Sequence, residues 1–253
     1  ALHCKFCQNW QISQARPEDR VVDYVPPARI VAAAGARRAP VIAFTYNEPT
    51  VFTEYLTDIA RLARPAGLRS VLVSCGFMNE APLTEMCEVL DAIKIDLKGY
   101  DEDFYREVCE AELGPVLEAL RTIYESGTHL EIVNLVVPSL NDDPGELRDL
   151  ALWVMDTLGP DVPLHFSRFH PDYQLTNLPP TPVETLEAAR QAALKVGLHY
   201  VYFGNVPGHE GNHTYCPNCG QTVIGRWGFQ VRDYAIQDGK CTQCGTTIDG
   251  VGM

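Results

Sequence analysis

"SVLVSCGFMNEAPLTEMCEVLDAIKIDL" (70–97) places two short apolar runs on either side of a longer amphipathic stretch. "SVLVSC" (70–75) and "AIKIDL" (92–97) have the length and residue types of buried strands, and 82–90 has helical periodicity. A strand, a helix and a second strand form the repeating unit of a parallel sheet with helices packed outside it. The alternation continues on both sides. Further strands are predicted at "VIAFT" (41–45), "LEIVNLVV" (130–137), "PLHFSRF" (163–169) and "HYVYFGN" (199–205), with helices at 28–37, 50–64, 102–125, 144–158 and 182–196. Six strands alternating with helices fit either a barrel or an open, doubly wound sheet.

Capping chemistry marks several helix ends. Thr181 reads as an N-cap with Pro182 at the first helical position, Glu184 as its capping-box partner and Gly197 as the stop. Asp143 precedes Pro144 in the same way, and Gly159 closes that helix. After Asn205 the texture becomes loop-rich and poor in apolar residues, so the chain divides into an α/β core at 1–205 and a linker with a small module at 206–253.

A net charge of −13 repels phosphate backbones and disfavours general nucleic-acid binding. No apolar run approaches the ~20 residues of a membrane span, and the opening residues have no apolar core of a signal peptide. A cytoplasmic protein without a membrane partner is expected. In such a chain nine cysteines point to metal ligands and reduced thiols instead of disulfides.

Four cysteines form two knuckles, Cys216-Pro-Asn-Cys219 and Cys241-Thr-Gln-Cys244, each followed by glycine. Such turns face both sulfurs toward one ion, and two of them complete a tetrahedral site for zinc or, with the same geometry, rubredoxin-like iron. The 21 intervening residues leave room for a hairpin through "TVIGRWGFQVRDYAI". The opening "ALHCKFCQNW" (1–10) carries another pair, Cys4 and Cys7, too few for a cluster or a structural metal.

At the C-terminal strand ends, where barrel folds bind ligands, stand Glu48 in "YNEPT", Gly76, Asp96 with Lys98, and His170 in "RFHPDY". Each has a structural reading: Glu48 as a helix cap, Asp96 and Lys98 as a surface pair, His170 as a loop histidine. Their repeated placement at one rim favours function.

These residues carry a family resemblance. "CKFCQNW" resembles the last two-thirds of the CxxxCxxC signature of radical S-adenosylmethionine (SAM) enzymes, and the first cysteine would be the residue immediately before Ala1. "FTYNEPTVF", "KIDLKGYDEDFYREV" and "VVPSLND" resemble segments of glycyl-radical-activating relatives such as the pyruvate formate-lyase-activating enzyme. "LHFSRFHPDYQLTNLPPTP" and "YVYFGNVPGHEGNHTYCPNCG" resemble the AmmeMemoRadiSam-system proteins in particular.

The resemblance implies a partial (β/α)6 barrel lacking its first strand, followed by a zinc ribbon. It implies that Cys4 and Cys7 ligate a [4Fe-4S] cluster and that Phe6 packs near the adenine of SAM. Glu48, with Tyr46 and Asn47, would sit by the SAM amino group, and Asp96, Lys98 and His170 would help hold its ribose and carboxylate. The family's chemistry is reductive cleavage of SAM to a 5′-deoxyadenosyl radical. It implies a low-potential donor such as flavodoxin or ferredoxin, and a possible protein substrate of the AMMECR or Memo families.

Departures fall at Tyr46-Asn47, where the family has Gly-Gly, at Cys75-Gly76, where Asn-Gly is common, and at Pro138-Ser139, where it has Pro-Gly. Cys75 is expected to pack as a buried thiol, and no residue is assigned a proton transfer. The loop "GNVPGHEGNH" (204–213) is expected to cover the open rim. The alternative reading is a non-catalytic metal-binding scaffold that keeps the barrel and ribbon.

Overall fold

The computed structural model describes residues 2–15 and 23–252. In chain order its elements are α1 (Trp10–Ser13), α2 (Pro27–Ala36), β1 (Val41–Phe44), α3 (Thr53–Ala63), β2 (Arg69–Ser74), α4 (Glu80–Val89) and β3 (Ala92–Asp96). There follow α5 (Glu102–Phe104), α6 (Leu113–Glu125), β4 (His129–Val136), α7 (Pro144–Leu158), β5 (Leu164–Arg168), α8 (Val183–Lys195) and β6 (Val201–Gly204). The tail contributes β7 (Thr214–Tyr215), β8 (Thr222–Trp227), β9 (Gln230–Tyr234), β10 (Ile236–Gln237) and β11 (Lys240–Cys241).

All six core strands form where the apolar runs place them, and they make one sheet in the order β1-β2-β3-β4-β5-β6. The β1–β2, β2–β3, β4–β5 and β5–β6 pairs are parallel. A doubly wound sheet reverses its strand order at a switch point. The sequential order here excludes that alternative and fits the barrel-type connection that the resemblance implies.

Two compact units make up the chain. One comprises Ala1–Asp96, Tyr105–Leu130 and Asp172–Leu175, and the other Leu97–Phe104, Glu131–Pro171 and Thr176–Met253.

In the first unit, Leu72 lies opposite Ile93 and Val73 opposite Lys94. Leu72, Ile93 and Ile95 are fully buried, each worth about 1.5–3 kcal/mol of transfer from water. Because side chains alternate along a strand, the half-buried Lys94 and Asp96 share the other face. The second unit repeats the division. Ile132, Leu164 and Val201 are paired and buried, while His165 lies opposite Tyr202 and its Nε2 is 2.9 Å from Glu131 Oε2.

The helix expected at 102–125 is broken. Its first part is the short α5 and a wide π-helical turn at Tyr105–Cys109; Glu110 then adopts a left-handed φ of 54°, and α6 restarts at Leu113. The helix expected at 50–64 likewise opens with a 3-10 turn, Pro49–Phe52, before α3.

Asp143 caps α7 as expected, its Oδ1 accepting the amides of Gly145 and Glu146 at 2.9 and 3.0 Å, and Gly159 ends that helix. Thr181 does not cap α8; Pro182 occupies the N-cap position. The Thr181 hydroxyl instead donates to the Val136 carbonyl at 2.6 Å and accepts the Phe169 amide at 2.9 Å, so it braces the ends of β4 and β5.

In the tail, β7, β8 and β9 form an antiparallel sheet and β10 and β11 a hairpin. Its apolar core of Cys216, Val223, Ile224, Ile236, Cys241 and Ile248 includes Tyr200, the residue just before β6. The Asp249 amide donates to the Tyr200 hydroxyl at 3.2 Å, and the Tyr202 hydroxyl lies 3.0 Å from Thr214 Oγ1. The tail thus packs at the N-terminal half of β6, which overturns the expected cover at the C-terminal rim. The intervening loop is pinned down: Gly211 lies against the Phe203 ring, and His209 bonds Glu187 of α8 at 3.2 Å.

Glu146 in α7 gives a test of this packing. Burial pushes its pKa up, opposed by the Tyr100 amide that it accepts and assisted by Asp101, Asp143 and Asp142. A carboxylate whose folded pKa exceeds its unfolded value takes up a proton on folding between the two. Stability therefore falls as pH rises through that window. Glu146→Gln is expected to raise the thermal midpoint at pH 7 by about 1–3 °C. The gain should vanish below about pH 4, in the ordinary carboxylate range, as read by circular-dichroism melts at both pH values.

Candidate functional site

The cysteine loop is built by the helix break. At the end of the π-helical turn, the carbonyls of Val108 and Cys109 accept the amides of Lys5 at 2.9 Å and His3 at 3.3 Å. The Cys7 amide returns to the Cys4 carbonyl at 3.1 Å, so both thiols project from one tight turn. Phe6 is buried between them in sequence, Cys4 is buried and Cys7 half-buried, with Sγ 3.2 Å from Ser13 Oγ. On the other side, the Gln174 amide donates to the Lys5 carbonyl at 3.1 Å, and Tyr173 stacks on Trp10 with ring centroids 5.5 Å apart. These tethers lay outside the reading of the motif, because they come from residues about a hundred and more positions away.

The loop after β1 is tied to the same region. The Asn47 side chain donates to the Ile12 carbonyl at 2.7 Å, while Tyr46 is exposed and has a left-handed φ of 34°. Asn47 thus acts as a tether between this loop and α1.

Glu48 is buried. Its Oε1 accepts the Ser74 hydroxyl at 2.7 Å and the Thr50 amide at 3.3 Å, and its Oε2 accepts the Cys75 amide at 2.9 Å. A carboxylate offers about four lone-pair sites. Three are taken among the described residues, and the remaining one is on Oε2. Glu48 therefore does serve as a cap, at the Pro49–Phe52 turn, but its stronger bonds are to the end of β2. Next to it Gly76 has a φ of 74°, and a Cβ there would stand 2.8 Å from Ile95 Cγ2, so only glycine fits. Cys75 is buried, as expected of a packed thiol.

Asp96 pairs with Lys94, two residues back on the same face of β3. Lys98 and His170 belong to the second unit. Lys98 is half-buried and His170 is exposed just beyond β5. The backbone of Lys98 is held by a residue within "VVPSLND" that was not singled out. Buried Asn141 donates through Nδ2 to the carbonyls of Lys98 at 2.8 Å and Leu135 at 2.9 Å, and its Oδ1 accepts the Val137 amide at 2.6 Å. An asparagine beside the left-handed Ser139 marks such a turn, but its partner at Lys98 is 43 residues away.

The tail holds the second cysteine group. The sulfurs of Cys216, Cys219, Cys241 and Cys244 lie within 4.8 Å of one another. Gly220 and Gly245, at φ of 72° and 75°, let each knuckle close, with their amides bonded to the carbonyls of Cys216 and Cys241. The Thr246 hydroxyl and amide draw the Cys244 thiol down to about 6. The Cys219 thiol, despite the Gln221 amide that acts to lower it, is pushed up to about 12 by desolvation and the other three sulfurs. One thiolate thus opposes ionisation of the next, a conflict that a bound cation removes. This set fits zinc or iron in a closed tetrahedral site.

Removing the Asn141 amide should leave three backbone groups without their partner. Asn141→Ala is expected to lower unfolding stability by about 2–4 kcal/mol, measured in urea, whereas Ser139→Gly at the left-handed position should be neutral or stabilising.

Residues 1–151 match the model of the Radical SAM superfamily. An uncharacterized protein of Methanocaldococcus jannaschii is 45% identical over 250 residues, covering 98% of this chain and 74% of that protein. The pyruvate formate-lyase-activating enzyme of Listeria monocytogenes is 22% identical over 161 residues, 59% of this chain and 63% of its own. Among solved structures, a radical SAM methyltransferase from Sphaerobacter thermophilus superposes with a TM-score of 0.62 at 16% identity, over 81% of this chain and 64% of that one. The family uses a [4Fe-4S] cluster and SAM. With its sequential parallel sheet and its cysteine turn, this chain belongs to the radical SAM superfamily.

Proposed function

We propose that the chain reductively cleaves SAM at a [4Fe-4S] cluster and directs the resulting 5′-deoxyadenosyl radical to hydrogen abstraction, with a protein as substrate. The observation that carries the reading is the paired placement of Cys4 and Cys7 on one turn, held by backbone bonds from Lys5 and His3. Thiols are the donors that iron–sulfur clusters take, so the donor set fits. In this proposal the cluster and SAM supply the electron transfer and the carbon–sulfur cleavage, and the chain supplies position and exclusion of water.

Each residue then has a stated task. Cys4 and Cys7 ligate the cluster, together with a cysteine at the position ahead of Ala1 in the CxxxCxxC pattern. Phe6 offers an apolar wall for the adenine. The remaining acceptor site of Glu48 receives the amino group of SAM, while Ser74, Thr50 and Cys75 hold the carboxylate still. Tyr46 and Asn47 border that position, and the Asn47 bond to Ile12 fixes the loop. Asp96, Lys98 and His170 are assigned to the ribose and carboxylate of SAM, with the Lys98 backbone held by Asn141.

The proposal divides the chain into a radical SAM core at 1–205 and a linker with a zinc ribbon at 206–253. It includes a low-potential donor of the flavodoxin or ferredoxin type. Placement in the AmmeMemoRadiSam group, with AMMECR or Memo partners, rests on the sequence resemblance. The relation to activating enzymes favours a glycine of a partner protein as the site of abstraction. No described helix is long and apolar enough to cross a membrane.

The test is anaerobic reconstitution of a chain carrying a cysteine immediately ahead of Ala1, followed by dithionite and SAM. Charge-transfer absorbance near that of an iron–sulfur cluster and release of 5′-deoxyadenosine and methionine are expected. Cys4→Ala and Cys7→Ala should each abolish both signals. Cys216→Ala should lose the tail metal and lower stability while leaving the cluster spectrum in place. A reconstituted chain that binds iron but releases no 5′-deoxyadenosine would sink the enzymatic reading and favour a scaffold.

A further inference from the structure

A cleft of about 650 Å3 lies between α8, the start of β6 and the first knuckle of the tail, all within the second unit. It has the volume of a small-molecule site. Two arginines of this unit contrast there. Arg226 spends its side chain internally, bonding the Asn212 carbonyl and Thr214 Oγ1 at 3.1 and 2.7 Å and lying over the Tyr202 ring. Arg190, on the cleft wall, donates only its Nε, to the Val201 carbonyl at 2.9 Å. Its guanidinium stands 5.7 Å from the Tyr215 ring centre, and among the described residues no carboxylate pairs with it.

Four guanidinium N–H groups are therefore left to bond water or a ligand. A planar fork of this kind matches a carboxylate or phosphate at two points. His213 adds another donor. Its Nδ1 accepts the Arg226 amide at 3.1 Å, which places the neutral ring's proton on Nε2. His199, held by Asp161 at 2.8 Å, also lines the cleft, with Glu210 as the acidic exception. The tyrosines at 200, 202 and 215 supply apolar and aromatic surface. In a chain of net charge −13, a lining of one arginine and two histidines with a single carboxylate, and Asp161 behind His199, is not the default surface.

We infer that this cleft binds a small anion with an apolar or aromatic body, its carboxylate or phosphate head gripped by the Arg190 fork and His213. The site is separate from the residues proposed for SAM and does not depend on that proposal. Because Cys216 lines the same cleft, an occupant would press on the first knuckle of the tail.

The zinc-loaded chain would be titrated with benzoate, phenyl phosphate, inorganic phosphate and phenol, followed by calorimetry and by the imidazole signals of His213 and His199. Saturable binding of benzoate or phenyl phosphate with a Kd of about 1 mM or tighter is expected. The tighter of the two identifies the head group. Phenol and inorganic phosphate should each bind at least about tenfold more weakly. Arg190→Gln should weaken the aromatic anion at least about tenfold, and Arg190→Lys, which keeps the charge and loses the fork, by a smaller factor. Arg61→Gln on α3 should change nothing. If Arg190→Gln does not fold, Arg190→Lys and His213→Asn carry the comparison, and each must weaken binding. No saturation by either aromatic anion at about 10 mM, undiminished binding by the Arg190 variants, or inorganic phosphate binding as well as phenyl phosphate would overturn the inference.

Discussion

The carbonyls of Val108 and Cys109 have two competing sets of partners, the next turn of their own helix or the amides of the cysteine loop. The left-handed turn at Glu110 settles the competition by ending the helix, and Lys5 and His3 take the carbonyls. A buried carbonyl left unpaired costs free energy comparable to a lost hydrogen bond, so the break and the loop stabilise each other. The turn bearing Cys4 and Cys7 has its shape because a helix some hundred residues later does not continue. Wide helical turns recur at functional sites for this kind of reason.

Similar exchanges occur at the other strand ends. Glu48 is buried as a carboxylate because three donors meet it, two of them from the end of β2. Asn141 ties the turn after β4 to Lys98, and Thr181 ties the ends of β4 and β5. Polar side chains here do the joining that backbone ladders cannot do once strands have ended. Each is satisfied, which is what permits its burial. The opposite end of the second unit is joined differently: Tyr200 and Tyr202 enter the core and polar seam of the tail, so the tetracysteine module is part of the packing of β6.

How much of this was legible beforehand follows from the range of the forces involved. The six strands, the cap at Asp143 and the two cysteine knuckles rest on periodicity and on neighbours within a few residues. These were readable. Thr181 failed as a cap because Val136 and Phe169 offered its hydroxyl better partners. The single helix at 102–125 failed because its carbonyls had distant claimants. The Lys94 partner of Asp96 went unread for a simpler reason: alternation along a strand puts Lys94 on the same face, and Asp96 lies at the strand's last residue.

By itself the sequence determined the class of the fold, the existence of both cysteine groups and the residues eligible for a site, since hydrophobic period, turn chemistry and ligand spacing are local properties. Only the tertiary structure decided which eligible residue does what. It fixed the sequential strand order, gave Glu48 three partners and one remaining acceptor site, made Asn47 a tether and put the tail at the N-terminal half of β6. The physical reason is that a hydrogen bond or a buried contact goes to whichever group the fold brings within reach, and that group is commonly dozens of residues away.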